Sequence, residues 1–416
     1  MQFSWRRNLY VIWFGEVISI AAFNAVIPFL PYYVQSLGVT SPGQVELWSG
    51  LLLSGQAVSM AIFSPIWGTV ADVRGRKLML ERALFGGAII MALMGRVTNV
   101  QQLLLLRIIQ GAVTGSVAAA NTLVAAGTPI TDTAFAMGLL QMGVYAGSSL
   151  GPMIGGFVAD AWGYRASFYL TSILLLVSGI LTVAMVHDVK SDGKNGGRSF
   201  AEGIRLVVRL PAVQAAFAVQ LAVRSAWRTA VPILPLYVQS LLPGSQHVAS
   251  LVGLMQGVNM AAISAASVAM GRAADRLGVR KILFVAIAGC ALFYGLHSIT
   301  RSVGQLFVLQ LLAGLAMGGF VATISANLAR SAPDGCQGIV FGLDSSVMSA
   351  ANAIGPMLGS TVAATWGLSM PFVASAGVFG LAIGVLMLQG TMRPAAVPAV
   401  QCSDEPTSAT ASGENG

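Results

Sequence analysis

Long uninterrupted apolar runs, separated by short polar turns, occupy almost the whole chain. They fall near residues 9–36, 48–71, 78–97, 102–125, 136–159 and 166–186, and again near 213–240, 248–271, 282–300, 304–328, 337–363 and 371–391. A run of about 20 apolar residues is the length that spans a bilayer as a helix. Backbone polar groups find no water inside lipid, so spans must be helices or closed barrels. These runs are continuous rather than alternating, which excludes a barrel. The expectation is an all-α membrane protein of about twelve transmembrane helices. Composition agrees: only 9% of the 416 residues are charged, against roughly 25% in soluble domains.

The basic residues set an expected orientation. With the N-terminus in the cytoplasm, 17 of the 23 Lys and Arg fall on the cytoplasmic side. Arg96, Arg165 and Arg301 fall outside, and Arg107, Arg224 and Arg228 lie within spans. That bias predicts that both termini are cytoplasmic, in the inner (plasma) membrane. It also gives the net charge of +8 a role in topology, with no nucleic-acid partner expected. The apolar run after Arg6 and Arg7 reaches about Val34. That is too long for a cleaved signal, so it reads as the first span.

The chain is written twice. The turn Gly68-Thr69-Val70-Ala71-Asp72-Val73-Arg74-Gly75-Arg76-Lys77 returns about 203 residues later as Gly271 to Lys281, with Gly271, Asp275 and Gly278 in corresponding places and the closing basic pair shifted by one position. Pro31 to Leu37 matches Pro235 to Leu241, and Gly151-Pro152-Met153 matches Gly355-Pro356-Met357, both at an offset of 204. Trp162-Gly163 and Phe168 repeat as Trp366-Gly367 and Phe372. The reading is two pseudo-symmetric six-helix bundles, 1–187 and 213–392. A cytoplasmic linker is expected at 188–212 and a disordered cytoplasmic tail at 393–416. Parallel repeats of this kind place a substrate site between the halves near mid-bilayer.

At these residues the chain resembles the major facilitator superfamily, and within it the twelve-span drug:proton antiporters. The first basic turn matches the superfamily's loop signature at Gly68, Asp72, Gly75, Arg76 and Lys77, and departs from it at Val73. The segment Gly147 to Gly156, with Gly147, Gly151, Pro152, Gly155 and Gly156, resembles the span-five signature of antiporters. The segment Arg107-Ile108-Ile109-Gln110-Gly111 resembles a span-four signature whose Arg is implicated in proton coupling. Trp5-Arg6-Arg7-Asn8 and Gly75 to Leu80 are similar to bacterial multidrug resistance transporters. The resemblance implies a rocking-bundle exporter, with the basic turn as a latch on the outward-facing state and a monomer as the default.

Physical chemistry gives each motif a role. Glycines let helices approach where lipid supplies no hydrophobic drive, and Pro152 can bend span five. A Gly-lined span five could seal the outer half of the pathway or serve plain close packing. Asp72 sits where a helix N-terminus of the other half could receive a carboxylate. The turn, with Asp275, Arg276 and Lys281 in its second copy, can equally be a topology anchor.

An ionisable group at mid-bilayer costs about 2.5–3.5 kcal/mol on insertion scales, so each asks for a reason. Glu16 shares a helical face with Ile20, Phe23 and Ile27 and is the first candidate proton carrier. Arg107 enters from the opposite side, so no direct Glu16–Arg107 pair is expected. Arg224 and Arg228 lie one turn apart, with Trp227 placed for a cation–π contact. They either line the cavity, disfavouring cationic drugs or binding an anionic substrate, or pair structurally. Asp344 either titrates during transport or braces the first basic turn. Phe23, Gln110, Gln141, Tyr145, Arg224, Trp227, Arg228 and Gln256 are the substrate-cavity candidates.

There is no GxxxxGK[ST] motif for a nucleotide-driven pump. Neither a nucleophile motif nor a metal cluster is present among the scattered Cys290, Cys336, Cys402, His187, His247 and His297. No enzyme activity, cofactor or metal is expected. The expected partners are a small molecule, protons and the lipid bilayer. The functional expectation is proton-coupled export of amphipathic drugs. Export of a specific metabolite, such as a siderophore or sugar, is the alternative on the same scaffold, and a non-transporting receptor a more distant one.

Overall fold

The computed structural model describes residues 5–41, 43–129, 131–187, 211–331 and 337–391. Nearly all of the expected linker, and the tail after Thr391, lie outside the described residues, as does the Asp72 side chain. Among the described residues the helices form twelve spans. Span one is Trp5–Asn24, continued by Ile27–Phe29 and Leu30–Ser36. Spans two and three are Gln44–Arg74 and Arg76–Met94, and span four is Val100–Val113 with Ser116–Gly127. Spans five and six are Thr133–Trp162 and Tyr164–Met185. Span seven is Pro211–Thr229 with Ile233–Leu241, and span eight is Val248–Leu277. Spans nine to twelve are Val279–His297, Val303–Ser331, Gln337–Trp366 and Met370–Thr391. Eight of these are long and apolar enough to cross a membrane on that ground alone. Spans three, five, seven and eleven complete the set by packing alongside them.

The two halves repeat the same packing. Span one lies on spans five and six, two on four, and three on four and six; seven lies on eleven and twelve, eight on ten, and nine on ten and twelve. The repeated landmarks explain this. Tyr33 donates to the Met94 carbonyl at 2.9 Å and rests on Phe168 at 4.9 Å. Its counterpart Tyr237 donates to the His297 carbonyl at 3.2 Å and rests on Phe372 at 5.2 Å. Each aromatic pair closes one end of its bundle, with the phenol oxygen satisfied as burial requires. Gln35 and Gln239, which are 204 positions apart, exchange amide hydrogen bonds at 3.1 and 3.2 Å. Equivalent residues meet each other only on the axis that relates the halves.

That axis gives the bundle two distinct ends. The described termini, Trp5 and Thr391, mark the terminal end, and the opposite end is the distal one. The halves meet along two seams, span two with span eleven and span five with span eight. From mid-span to the distal end these are tight. Ser149 donates to the Gly257 carbonyl at 2.8 Å and Asp160 bonds span eight, Gly50 of span two lies on Pro356 and Ser360 of span eleven, and between the seams Tyr32 of span one donates to the Pro235 carbonyl of span seven. Toward the terminal end the passage opens. Residues 60 to 66 of span two are exposed on every side of the helix, so its inner face has no neighbour there. The structure is therefore closed distally and open toward the terminal end.

Candidate substrate and proton-coupling site

The central cavity lies at the top of that passage, under the distal closure. It is lined from both halves. Asn24 and Ile27 come from span one, Ser148 and Pro152 from span five, Trp227, Arg228 and Leu234 from span seven, and Gln256, Asn259 and Met260 from span eight. Tyr294 and Gln310 close the far wall. The breaks in spans one and seven make the room. Each helix is interrupted near a proline, Pro28 and Pro232, which cannot donate to the helical ladder. The lining is apolar with a few convergent polar groups, as small-molecule sites are. No carboxylate is among the lining residues. The charge in the wall is the Arg228 guanidinium, 4.6 Å over the Trp227 ring.

Of the eight residues expected at the cavity, Trp227, Arg228 and Gln256 line it. Tyr145 shares a hydrogen bond with Gln141 and lies near Arg224 of the other half, toward the open side. Arg224 is 3.9 Å from Asp344 and 3.1 Å from the Met348 sulfur. Asp344 also accepts from Gln220, so its partners lie in its own half rather than at the first basic turn. Phe23 packs at Gly87 of span three. Gln110 is fully buried beneath Arg107. Asn24, Ser148, Tyr294 and Gln310 were not singled out by sequence reasoning. Asn24 carries a readable signal: it stands 204 positions before Arg228, and both face the cavity.

Glu16 lies deeper in the first half. It is 3% exposed and is held by hydroxyls: Ser19 donates to Oε2 at 3.3 Å and Ser116 to Oε1 at 3.4 Å. Among the described residues no cation lies within ion-pair distance of its carboxyl. Ser116 reaches Glu16 because span four breaks at Thr114 and Gly115, where Gly115 adopts φ +139°. Span ten is continuous through the equivalent stretch. The position 204 after Glu16 is Gln220, an amide, so the halves have diverged here. Glu16 is separated from the cavity by two turns of span one, about 12 Å along the axis.

Arg107 is 2% exposed, and its Nη1 donates to Gln56 at 3.0 Å and Gln110 at 3.2 Å. Its Nε and Nη2 lack partners. A buried cation among neutral amides is poorly compensated in this state. Glu16 is not among its partners.

The glycines of the span-five signature face two ways. Gly147, Gly151 and Gly155 lie on the backbone of span one at Val17, Ala21 and Ala25. Gly156 lies on Ala249 of span eight, while Gly253 and Gly257 of span eight lie on Pro152 and Ser149. The first face is internal to one half and the second is the seam.

The basic turns are bound within their own halves. Gly75 and Gly278 adopt φ +100° and +94°, which lets each tight reversal form. Arg76 donates to the Thr122 carbonyl at 2.9 Å, and Lys77 donates to the Val183 carbonyl at 3.0 Å and pairs with Glu81 at 3.6 Å. Arg280 does the same at Leu386, 3.1 Å. Cations at the carbonyl ends of helices are favourably placed. Gly68 has open space around it, and Arg276 and Lys281 are exposed.

Twelve spans in two equivalent bundles around a central cavity define a membrane transport protein. The Major Facilitator Superfamily profile matches residues 12–245 and again 216–403, and the chain belongs to that superfamily. It is similar along nearly its whole length to proteins named multidrug resistance protein MdtG. Identity is 34% to that of Klebsiella pneumoniae, covering 94% of this chain and 95% of the relative. It is 35% to that of Citrobacter koseri, covering 90% and 93%. Among solved structures, a bacterial homologue of the human lysosomal transporter Spinster, inward-facing and occupied, superposes with a TM-score of 0.76 at 14% identity over 93% of this chain and 98% of that one. The nucleoside transporter NupG superposes at 0.74 and 13% identity, over 92% and 99%. The protein is a multi-pass membrane transporter and not an enzyme.

Proposed function

We propose that the chain is a proton-coupled exporter of amphipathic compounds, working by alternating access in the inner (plasma) membrane with both termini cytoplasmic. On this reading the terminal end is the cytoplasmic one. The observation that carries proton coupling is Glu16: a buried carboxyl bonded, among the described residues, by hydroxyls, on the span that two turns further on lines the cavity with Asn24 and Ile27. Such a group can take and release a proton without rearranging an ion pair. Antiport requires that proton and cargo favour different states, and a carboxyl on the cavity helix links the two. The names of the relatives support a drug as cargo. The cavity wall favours amphipaths carrying an anionic group, since Arg228 meets no carboxylate there. The same wall would suit an acidic metabolite.

The test is proton release from purified protein on adding ligand. Anionic amphipaths should release protons from wild type and none from Glu16→Gln. Release that is unchanged in Glu16→Gln would remove Glu16 from the mechanism.

A further inference from the structure

One contact in the span five–span eight seam has a charged group acting across the halves. Asp160 lies in the last turn of span five and reaches the first turn of span eight. Its Oδ2 accepts the backbone N–H of Ser250 at 2.7 Å and also the Ser250 hydroxyl; its Oδ1 accepts the backbone N–H of Ala249 at 3.3 Å. The first N–H groups of a helix lack partners within it, and the helix dipole adds positive potential there. The residue preceding span eight, His247, supplies no side-chain cap of its own. Span eight is therefore capped by a carboxylate that belongs to the other half.

The pseudo-symmetric seam shows what the contact adds. The residue 204 positions after Asp160 is Ala364, in the last turn of span eleven. It packs on Gly43, the residue before span two, with its backbone 3.5 Å from where a Cβ would stand. Both seams have close packing at the distal end; span two carries Glu46 in its own first turn, whereas among the described residues the span five–span eight seam alone has a carboxylate of one half bonded to the helix terminus of the other.

We propose that Asp160 is a gating residue that locks the distal side shut by capping span eight, and that it releases this helix when the halves part. Its bonds exist only while the seam is closed, so they weight one state and not the other. Charge-assisted bonds are roughly twice as strong as neutral ones. The proposal rests on the alternating-access reading but not on the cargo or the proton.

The test uses the full chain in lipid nanodiscs, with Cys290, Cys336 and Cys402 replaced by Ser and spin labels at the exposed distal positions Thr40 and Gln246. Without substrate or gradient, the wild type should show mainly the short distance. Asp160→Asn should raise the distal-open fraction on the order of tenfold. Asp160→Glu should restore part of the closed population, and Ser250→Ala should give a smaller shift in the same direction. If Asp160→Asn does not fold, Ser250→Ala decides alone. Distances that stay as in wild type in the folded variants would overturn the lock. Drug efflux lost with distances unchanged would count against the lock and leave the transport reading standing.

Discussion

The two-faced geometry of the span-five glycines makes a discriminating prediction for Gly156→Ala. A methyl at Gly156 would stand 2.8 Å from the Ala249 carbonyl carbon and 3.2 Å from the Ser250 Cα, and closer still to the Ala249 oxygen. Comfortable carbon contacts begin near 3.5 Å. These neighbours are backbone, so they cannot swing aside, and the seam must part by roughly 1 Å. Overpacking of this size costs about 1–3 kcal/mol. The cost falls on the distal-closed state alone, because the seam does not exist when the halves separate. A penalty of that size shifts a two-state equilibrium by about 5–150-fold.

Gly151→Ala is the control. Its methyl would meet Ala21 Cα at 2.9 Å within one half, so it penalises both states alike and lowers thermal stability instead. The assay is labelling of a cysteine placed at Gln256, in the cavity, by a membrane-impermeant maleimide offered from the distal side, beside a thermal midpoint for each variant. Gly156→Ala should raise the labelling rate about tenfold or more with little change in midpoint, and Gly151→Ala should do the reverse. Equal effects of the two variants on both readouts would refute the assignment of Gly156 to a state-specific seam.

Three further outcomes are expected. Phe168→Ala and Phe372→Ala each remove a fully buried ring from equivalent places; each should destabilise its half by about 3–5 kcal/mol, read as a matching drop in thermal midpoint. Arg228→Ala should weaken transport of anionic amphipaths about tenfold or more while improving that of cations, measured as KM for a matched dye pair; an equal loss for both would show that Arg228 is structural. Asp72→Asn should reduce transport while leaving membrane insertion normal, measured by efflux against expression; lost expression would make the turn an anchor.

The apolar runs and the 204-residue repeat made the twelve spans, the two halves and their pairing legible, because lipid leaves a backbone few ways to satisfy itself. Trp227, Arg228 and Gln256, which line the central cavity, stand out in the sequence for a related reason: polar groups inside a span need a purpose. What stayed hidden depends on which helices face each other. Asp160 sits near a span end, where a carboxylate is unremarkable, and its role comes from a helix terminus in the other half. Tyr294 and Gln310 look like ordinary span residues until spans nine and ten are seen to form the cavity wall. The break at Thr114 and Gly115 was equally silent, since neither residue is a proline, yet it is what brings Ser116 to Glu16. Gln110 went the other way: its polarity suggested the cavity, but it serves the buried Arg107.

The central claim is that Glu16 couples proton movement to export. Everted vesicles carrying wild type or Glu16→Gln, offered chemically varied anionic, neutral and cationic dyes from the medium in turn, test it by dye uptake with and without an imposed pH gradient. The account predicts gradient-dependent transport by wild type, collapse to the gradient-free rate in Glu16→Gln, and equal membrane insertion of both. Gradient-driven transport of the same dyes at the wild-type rate by Glu16→Gln would contradict it.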